Sequence, residues 1–220
     1  MSVQAKIADC RCWYCGADAD SHFCPQCQHI QPSRSPVDYF TFFNLPLQFH
    51  VDTNELERRF YDLSRKFHPD FFSNATPEEQ RYSMDRASRL NDAYRTLKDS
   101  WKRAAYLLEI VGMPASERKS QTPPDLLAEI FELNEQMEEL RAAKQGKDTG
   151  KISRLQTEVL EMEQMLKARA QQLAQKLAQL FAEWQTAPQA RPLLAQINGI
   201  LAQCTYINNL IDDIDAEFND

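Results

Sequence analysis

An all-α fold is predicted by three features of the sequence. Its 220 residues include only five glycines. No run alternates Val, Ile or Thr as a half-buried strand would. Long stretches rich in Leu, Ala, Gln, Glu, Lys and Arg carry helical apolar spacing instead. No apolar run approaches the ~20 residues that span a bilayer. Residues 1–9 hold one cation, Lys6, and no apolar h-region. A cytoplasmic protein with no membrane contact is therefore expected. The formal net charge is −7, from 25 Lys+Arg against 32 Asp+Glu. That balance argues against nucleic acid as a general partner, because phosphate binding needs a cationic surface.

The first element, residues 1–33, is a cysteine module. Five of the six cysteines lie between Cys10 and Cys27, and Cys204 stands alone. Such clustering fits a metal site in a reducing compartment better than a disulfide framework. The segment reads Cys12-Trp-Tyr-Cys15-Gly16, then Cys24-Pro-Gln-Cys27. Two C-x-x-C turns aim four sulfurs at one ion, and four thiolates leave no open coordination position. Zn²⁺ held structurally by Cys12, Cys15, Cys24 and Cys27 is the expectation. Weaker alternatives are two redox disulfides, an iron–sulfur cluster, Cys10 in place of Cys12, or His22 or His29 in place of a cysteine. A segment this small cannot bury a core, so the metal must supply its folding free energy. Residues 28–37, with two prolines and several small polar residues, have the composition of a linker.

Residues 38–111 read as a helical hairpin. Asp38–Leu45 is short and aromatic, a small helix packing through its rings. Asp52 with Glu55 three residues on makes a capping-box pattern. The helix that follows places Leu56, Phe60, Leu63 and Phe67 within one arc, its core face. Arg58 and Arg65 fall opposite that stripe, and Arg59 and Lys66 form a ridge beside it, so the cations are expected to face outward. Pro69 must end the helix or lie just beyond it. Thr76-Pro-Glu-Glu79 opens the next helix, with Thr as N-cap, Pro at N1 and Glu at N3. That helix carries Tyr82, Ala87, Leu90, Ala93, Tyr94 and Leu97. His68-Pro69-Asp70 thus sits in the loop of an antiparallel pair.

Residues 112–121 read as a connector and 122–220 as a three-helix bundle. Thr122 and Pro123 start its first helix, whose core arc holds Leu126, Ile130, Leu133, Met137 and Leu140. Leu127 and Phe131 fall outside that arc, beside Glu132, Glu135 and Glu139. An apolar pair flanked by an acidic row is a candidate binding surface, although packing against the hairpin or linker would also account for it. After a turn at Gly146–Gly150, a long helix carries Leu155, Val159, Met162, Leu166, Leu173, Leu177 and Leu180. Pro188 and Pro192 break the chain, and the last helix shows Leu194, Ile197, Leu201, Cys204, Asn208 and Ile211 near one face.

The basic amphipathic helix, the His-Pro-Asp loop and the Asn91-Asp92-Ala93-Tyr94 run together resemble a J-domain of the DnaJ class. Phe71, Arg103-Ala-Ala-Tyr106-Leu-Leu108 and the carboxy-terminal helices narrow this. Over residues 38–218 the chain resembles the HscB/Jac co-chaperones of iron–sulfur cluster assembly, some of which carry a four-cysteine module in front. The resemblance implies two partners. His68, Pro69 and Asp70 would be the trigger, and Arg58, Arg59, Arg65 and Lys66 the docking charges, for a DnaK/HscA-type ATPase chaperone. Leu127, Phe131, Glu132, Glu135, Glu139 and Tyr206 would hold an IscU-type scaffold. Ala128, where the family often has a larger apolar residue, and Tyr206, where Phe is usual, depart from the pattern. Phe67 is expected to anchor the helix and Phe71 to seat the loop. No catalysis by the chain itself is expected: a hydrolase using His68 and Asp70 lacks a placed nucleophile. The alternative function is a zinc- or redox-responsive J-protein recruiting a general chaperone to other clients. Self-association as a homodimer, partner contact and stability alone are the roles open to the module.

Overall fold

Apolar periodicity and prolines divide the chain into seven α-helices, as seen in a computed structural model that describes residues 11–19, 21–33, 37–113, 124–186 and 190–219. Side chains of 124–126 and 219 lie outside that description, as do Cys10, linker residues 34–36, the connector beyond Met113, Thr122 and Pro188. The helices are α1 (Tyr39–Phe42), α2 (Thr53–Phe67), α3 (Pro77–Lys98), α4 (Ser100–Ile110), α5 (Pro124–Gly146), α6 (Thr149–Thr186) and α7 (Arg191–Asn219). A 3-10 turn, Pro69–Phe72, follows α2. Among the described residues there is no strand, only two isolated bridges in the cysteine segment, Arg11 with Asp18 and Phe23 with Ile30. The chain divides into two units after Asp99, with the short segment Gln48–His50 belonging to the second.

In the first unit α2 and α3 pair around Leu56, Phe67, Leu90, Ala93 and Leu97, with Phe40, Phe42 and Phe43 also buried. Asp52 caps α2, accepting from the Asn54 and Glu55 N–H groups at 2.9 and 3.3 Å. The expected reciprocal bond from Glu55 does not form. Its carboxylate instead takes the guanidiniums of Arg58 and Arg59, at 2.7 and 2.6 Å, because charged donors outcompete one amide. Thr76 and Glu79 do close a capping box at α3. Pro69 forces His68 into extended backbone (ψ 126°), which ends α2 at Phe67. The buried Ser83 hydroxyl donates to the Phe67 carbonyl at 2.7 Å, tying the end of α2 to α3. Tyr94 stacks on Phe60, with centroids 4.1 Å apart, and donates to Glu57 at 3.0 Å.

In the second unit α6 runs against both α5 and α7. Leu133, Met137, Val159, Leu166, Ile207, Leu210 and Ile214 form its main core, and Leu140, Ala143 and Leu155 continue it toward the α5–α6 turn. The buried stripe of α7 is broader than the wheel of Leu194 to Ile211 suggests: Ile200, Ile207, Leu210 and Ile214 are buried while Asn208 and Ile211 are half-buried. The reason is a second neighbour. α4 belongs to this unit, and Trp101, Lys102 and Ala105 line a cavity with Leu201, Cys204, Thr205 and Asn208. Phe49 stacks on Phe181 at 4.5 Å and lies under the Arg103 guanidinium at 5.2 Å.

Glu217 fastens α5 to α7. Its carboxylate accepts from Arg141 at 2.6 Å and Lys144 at 2.9 Å, and the side chain is only 11% exposed. The Lys144 ammonium holds this carboxyl below its ordinary value, against the effect of burial and with help from Arg141. A depressed folded-state value means the stabilisation is present above the ordinary value of 4.5 and is lost as pH falls through the lowered one. Glu217→Gln is expected to destabilise the bundle by about 1 kcal/mol at pH 7. In denaturant titrations the gap to wild type should close in acid. A gap that stays constant to pH 3 would contradict this.

Candidate functional site

The cysteine segment folds into two similar turns. In the first, the Gly16 N–H donates to the Cys12 carbonyl at 3.0 Å. In the second, the Gln28 N–H donates to the Cys24 carbonyl at 2.9 Å. The residue after each C-x-x-C pair has a left-handed backbone, Gly16 at φ 75° and Gln28 at φ 61°. Glycine announces the first turn in the sequence; glutamine hides the second. Cys12, Cys15, Cys24 and Cys27 bring their sulfurs within 4.8 Å of one another. Cys12 and Cys27 are 3.6 Å apart, and Cys15 and Cys24 3.7 Å. A tetrahedron with metal–sulfur bonds of ~2.3 Å has edges of about 3.8 Å, so the four sulfurs fit one tetrahedral metal ion. Burial pushes the Cys12 thiol up, but the amides of Cys15 and Tyr14 and the side chains of Cys27 and Gln31 outweigh it and bring it to about 6. Burial pushes the Cys27 thiol up to about 12. The buried Gln31 amide donates to the Cys12 sulfur at 3.3 Å, supporting the thiolate from outside the ligand set.

Neither histidine considered as a ligand joins the cluster. Arginine can only donate, so the 2.7 Å bond from Arg86 makes His22 Nδ1 an acceptor and leaves the proton on Nε2, which donates to the Phe42 carbonyl at 3.0 Å. Burial and the neighbouring Arg86 charge push this imidazole down to about 4, so it is neutral. His29 donates through Nδ1 to the Cys27 carbonyl at 3.0 Å and stacks on Tyr14.

The linker expected at 28–37 is, over residues 28–33, part of this docked module. Ile30 and Gln31 are buried. Arg86 of α3, itself only 7% exposed, donates to the Gln31 carbonyl at 3.2 Å and the Pro32 carbonyl at 3.0 Å as well as to His22. The Trp13 ring meets Tyr82 of α3 edge-on, with centroids 5.7 Å apart. Arg86 looks like one more solvated cation in the sequence; only its contacts with residues over fifty positions away reveal it.

The His-Pro-Asp loop is open to solvent. The side chains of His68 and Asp70 are 53% and 89% exposed. The Asp70 N–H donates to His68 Nδ1 at 3.3 Å. Phe67 is fully buried and anchors the loop. Phe71, expected to seat the loop, does not: it is 76% exposed and meets His68 edge-on. The 3-10 turn after Pro69 carries that ring to the outer side. Of the four cations, Lys66 is exposed, Arg65 pairs with Asp62 at 2.7 Å and Arg58 pairs with Glu55. Arg59, expected outward, is half-buried between Glu55 and the carbonyls of Phe43 and Asn44. Orphan carbonyls after the short α1 draw it inward.

In the second unit Leu127, Phe131 and Tyr206 are 42%, 72% and 40% exposed, and Glu132, Glu135 and Glu139 are exposed on α5. Glu139 pairs with Lys151 at 3.2 Å, toward the α5–α6 turn. Phe131 borders a groove with Asn134, Glu138, Arg141, Asp213 and Ala216. Tyr206 lies two turns before Asp213 on the same side of α7. Phe131 and Tyr206 therefore flank one face of the α5–α7 pair. No local pattern marks Asp213 and Ala216, because their part in the groove depends on the α5–α7 register.

The DnaJ domain family matches residues 38–106, and the HSCB C-terminal oligomerisation domain matches residues 122–215. The chain is 33% identical over 150 residues to the iron-sulfur cluster co-chaperone protein HscB homolog of Arabidopsis thaliana, covering 68% of this chain and 57% of that protein. It is 38% identical over 135 residues to the iron-sulfur cluster co-chaperone protein HscB of Homo sapiens, covering 59% of this chain and 57% of that one. The chain thus spans 57% of the length of the curated relatives it matches. Among solved structures, the crystal structure of human co-chaperone HscB is similar with a TM-score of 0.75 and 28% identity, over 94% of this chain and 98% of that one. Chaperone HscB from Vibrio cholerae shares the fold, with a TM-score of 0.66 and 24% identity over 83% of this chain and 98% of that chain.

Proposed function

Because the chain belongs to the HscB family of J-domain proteins, we propose that it is a co-chaperone of iron–sulfur cluster assembly, an adaptor whose chemistry takes place in a partner. The observation that carries this reading is an exposed His68-Pro69-Asp70 loop on a capped hairpin, in one chain with an HscB-type bundle that presents exposed Leu127, Phe131 and Tyr206. The loop and α2 dock on a DnaK/HscA-type chaperone and stimulate its ATP hydrolysis. A proline-stiffened loop lowers the ordering cost of docking. Lys66 and Arg65 orient the encounter with an acidic surface, while Arg59 serves chiefly to hold α1 to α2. The α5–α7 face binds an IscU-type scaffold through its apolar residues, with Glu132, Glu135 and Glu139 as its acidic rim. The four-cysteine site holds Zn²⁺ structurally, since a closed thiolate tetrahedron suits that ion. Thiols so arranged suit a reducing compartment such as the cytoplasm.

Leu127→Ala, Phe131→Ala and Tyr206→Ala together are expected to weaken scaffold binding at least tenfold by calorimetry, with helical circular dichroism retained. All three side chains are well exposed, so their loss leaves no cavity. The same protein should still stimulate the chaperone ATPase in the absence of scaffold. Undiminished scaffold binding would remove this face from the assignment.

A further inference from the structure

The four-cysteine module packs on Phe67, the last residue of α2, immediately before the trigger loop. Phe67 immediately precedes His68, and its burial is shared between the hairpin and the module. The His22 ring meets it edge-on at 5.0 Å and the Phe23 ring stacks on it at 5.8 Å. The Phe67 carbonyl is held by Ser83, and His22 is held by Arg86 and the Phe42 carbonyl. Phe23 adjoins ligand Cys24, and His22 is one residue further back. The bridge between Phe23 and Ile30 closes the turn that carries Cys24 and Cys27. Both rings therefore sit on the segment that leads into ligand Cys24, with His22 also held from the hairpin side by Arg86 and Phe42. The module's own buried cluster is Cys12, Ala19 and Cys24, with Ala17 and Cys27 at its edge. Such a core cannot hold that shape without a bound ion.

We propose that His22 and Phe23 are positioning residues for the His68-Pro69-Asp70 loop, and that metal occupancy of the four-cysteine site sets how firmly that loop is held. With metal bound, the two rings clamp Phe67 and the loop docks at low ordering cost. Without metal the clamp opens, Phe67 loses two of its aromatic neighbours and the loop samples more conformations. The module thus makes trigger strength dependent on metal. The activity arm of this proposal rests on the co-chaperone reading; its structural arm does not.

The test uses the full chain in three forms: metal-loaded, chelator-stripped, and Phe23→Ala loaded with Co²⁺, whose thiolate absorption reports an intact site. Amide exchange across Phe67–Ser73 is followed by NMR, and stimulation of a purified DnaK-type ATPase is titrated alongside. Stripping the metal and Phe23→Ala are each expected to speed exchange across Phe67–Ser73 at least fivefold. Each should also raise the half-saturating protein concentration several-fold. Adding Zn²⁺ back should restore the stripped wild type but not Phe23→Ala, and Phe23→Tyr, which keeps the ring, should behave as wild type. A module that matters only for its own stability would change exchange in residues 11–33 and leave Phe67–Ser73 as it was; that result overturns the proposal. Faster loop exchange in a protein whose loaded wild type stimulates no ATPase would instead sink the co-chaperone reading and sustain the positioning role. If Phe23→Ala loses the Co²⁺ absorption, the stripped wild type decides alone.

Discussion

His68→Gln is expected to abolish stimulation of the partner ATPase while the fold stays as it is. The imidazole is half exposed, and its place in the fold rests on the Asp70 N–H reaching Nδ1 and an edge contact with Phe71. A glutamine carbonyl can accept the same amide, so the turn survives. Changes at exposed sites of this kind stay within about 0.5 kcal/mol, which corresponds to a shift in Tm of about 2 °C. The loss should therefore appear in the stimulated ATPase rate, by tenfold or more, and be absent from circular dichroism and thermal melts. Pro69 contributes by ending α2, and Asp70 projects almost entirely into solvent. Neither has a burial requirement in this chain that would explain it. Stimulation retained by His68→Gln would exclude the loop as the trigger.

Cys24→Ser should empty the metal site and unfold the module without melting the bundle. Cys24 is fully buried, and its sulfur lies 3.7 Å from Cys15 in the tetrahedron. A serine hydroxyl is a poor replacement for a thiolate, and three remaining thiolates bind far more weakly. Structural zinc sites contribute roughly 10–16 kcal/mol of apparent binding free energy, more than the few small apolar side chains of this segment can supply. Metal content should fall from one equivalent to near zero. Trp13, whose indole N–H donates to the Ile30 carbonyl at 2.7 Å, should show red-shifted emission, with Trp13→Phe as the control. The α5–α7 bundle shares no ligand with this site and should keep its helicity. One retained equivalent of metal would exclude Cys24 as a ligand.

Much of the fold was legible because local rules and burial agree. Leu56 and Phe67 face the core as the wheel requires, Thr76 closes its box with Glu79, and Pro69 ends α2 where it must. The four-cysteine set was legible because ligand spacing is a property of short turns. Legibility failed where a side chain had a choice of partners. Arg59 and Phe71 have the residue types of a docking cation and a seated aromatic, yet one is drawn in by nearby carbonyls and the other turned out. The sequence of Gln31 and Arg86 suggests surface residues; both are buried.

Local sequence sets the elements: all-α composition, helix starts and stops, the metal-ligand spacing, and the exposed His-Pro-Asp loop. These follow from backbone stereochemistry, capping and periodicity, which act over a few residues. The tertiary structure alone decided that the cysteine module docks on the hairpin, that Arg86 clamps it, that His22 and Phe23 press on Phe67, and that Phe131 shares a groove with Asp213. Each of these depends on contacts between residues some forty to eighty positions apart. Their energies come from burial and from charges meeting carbonyls in a dry interior, which no local pattern encodes.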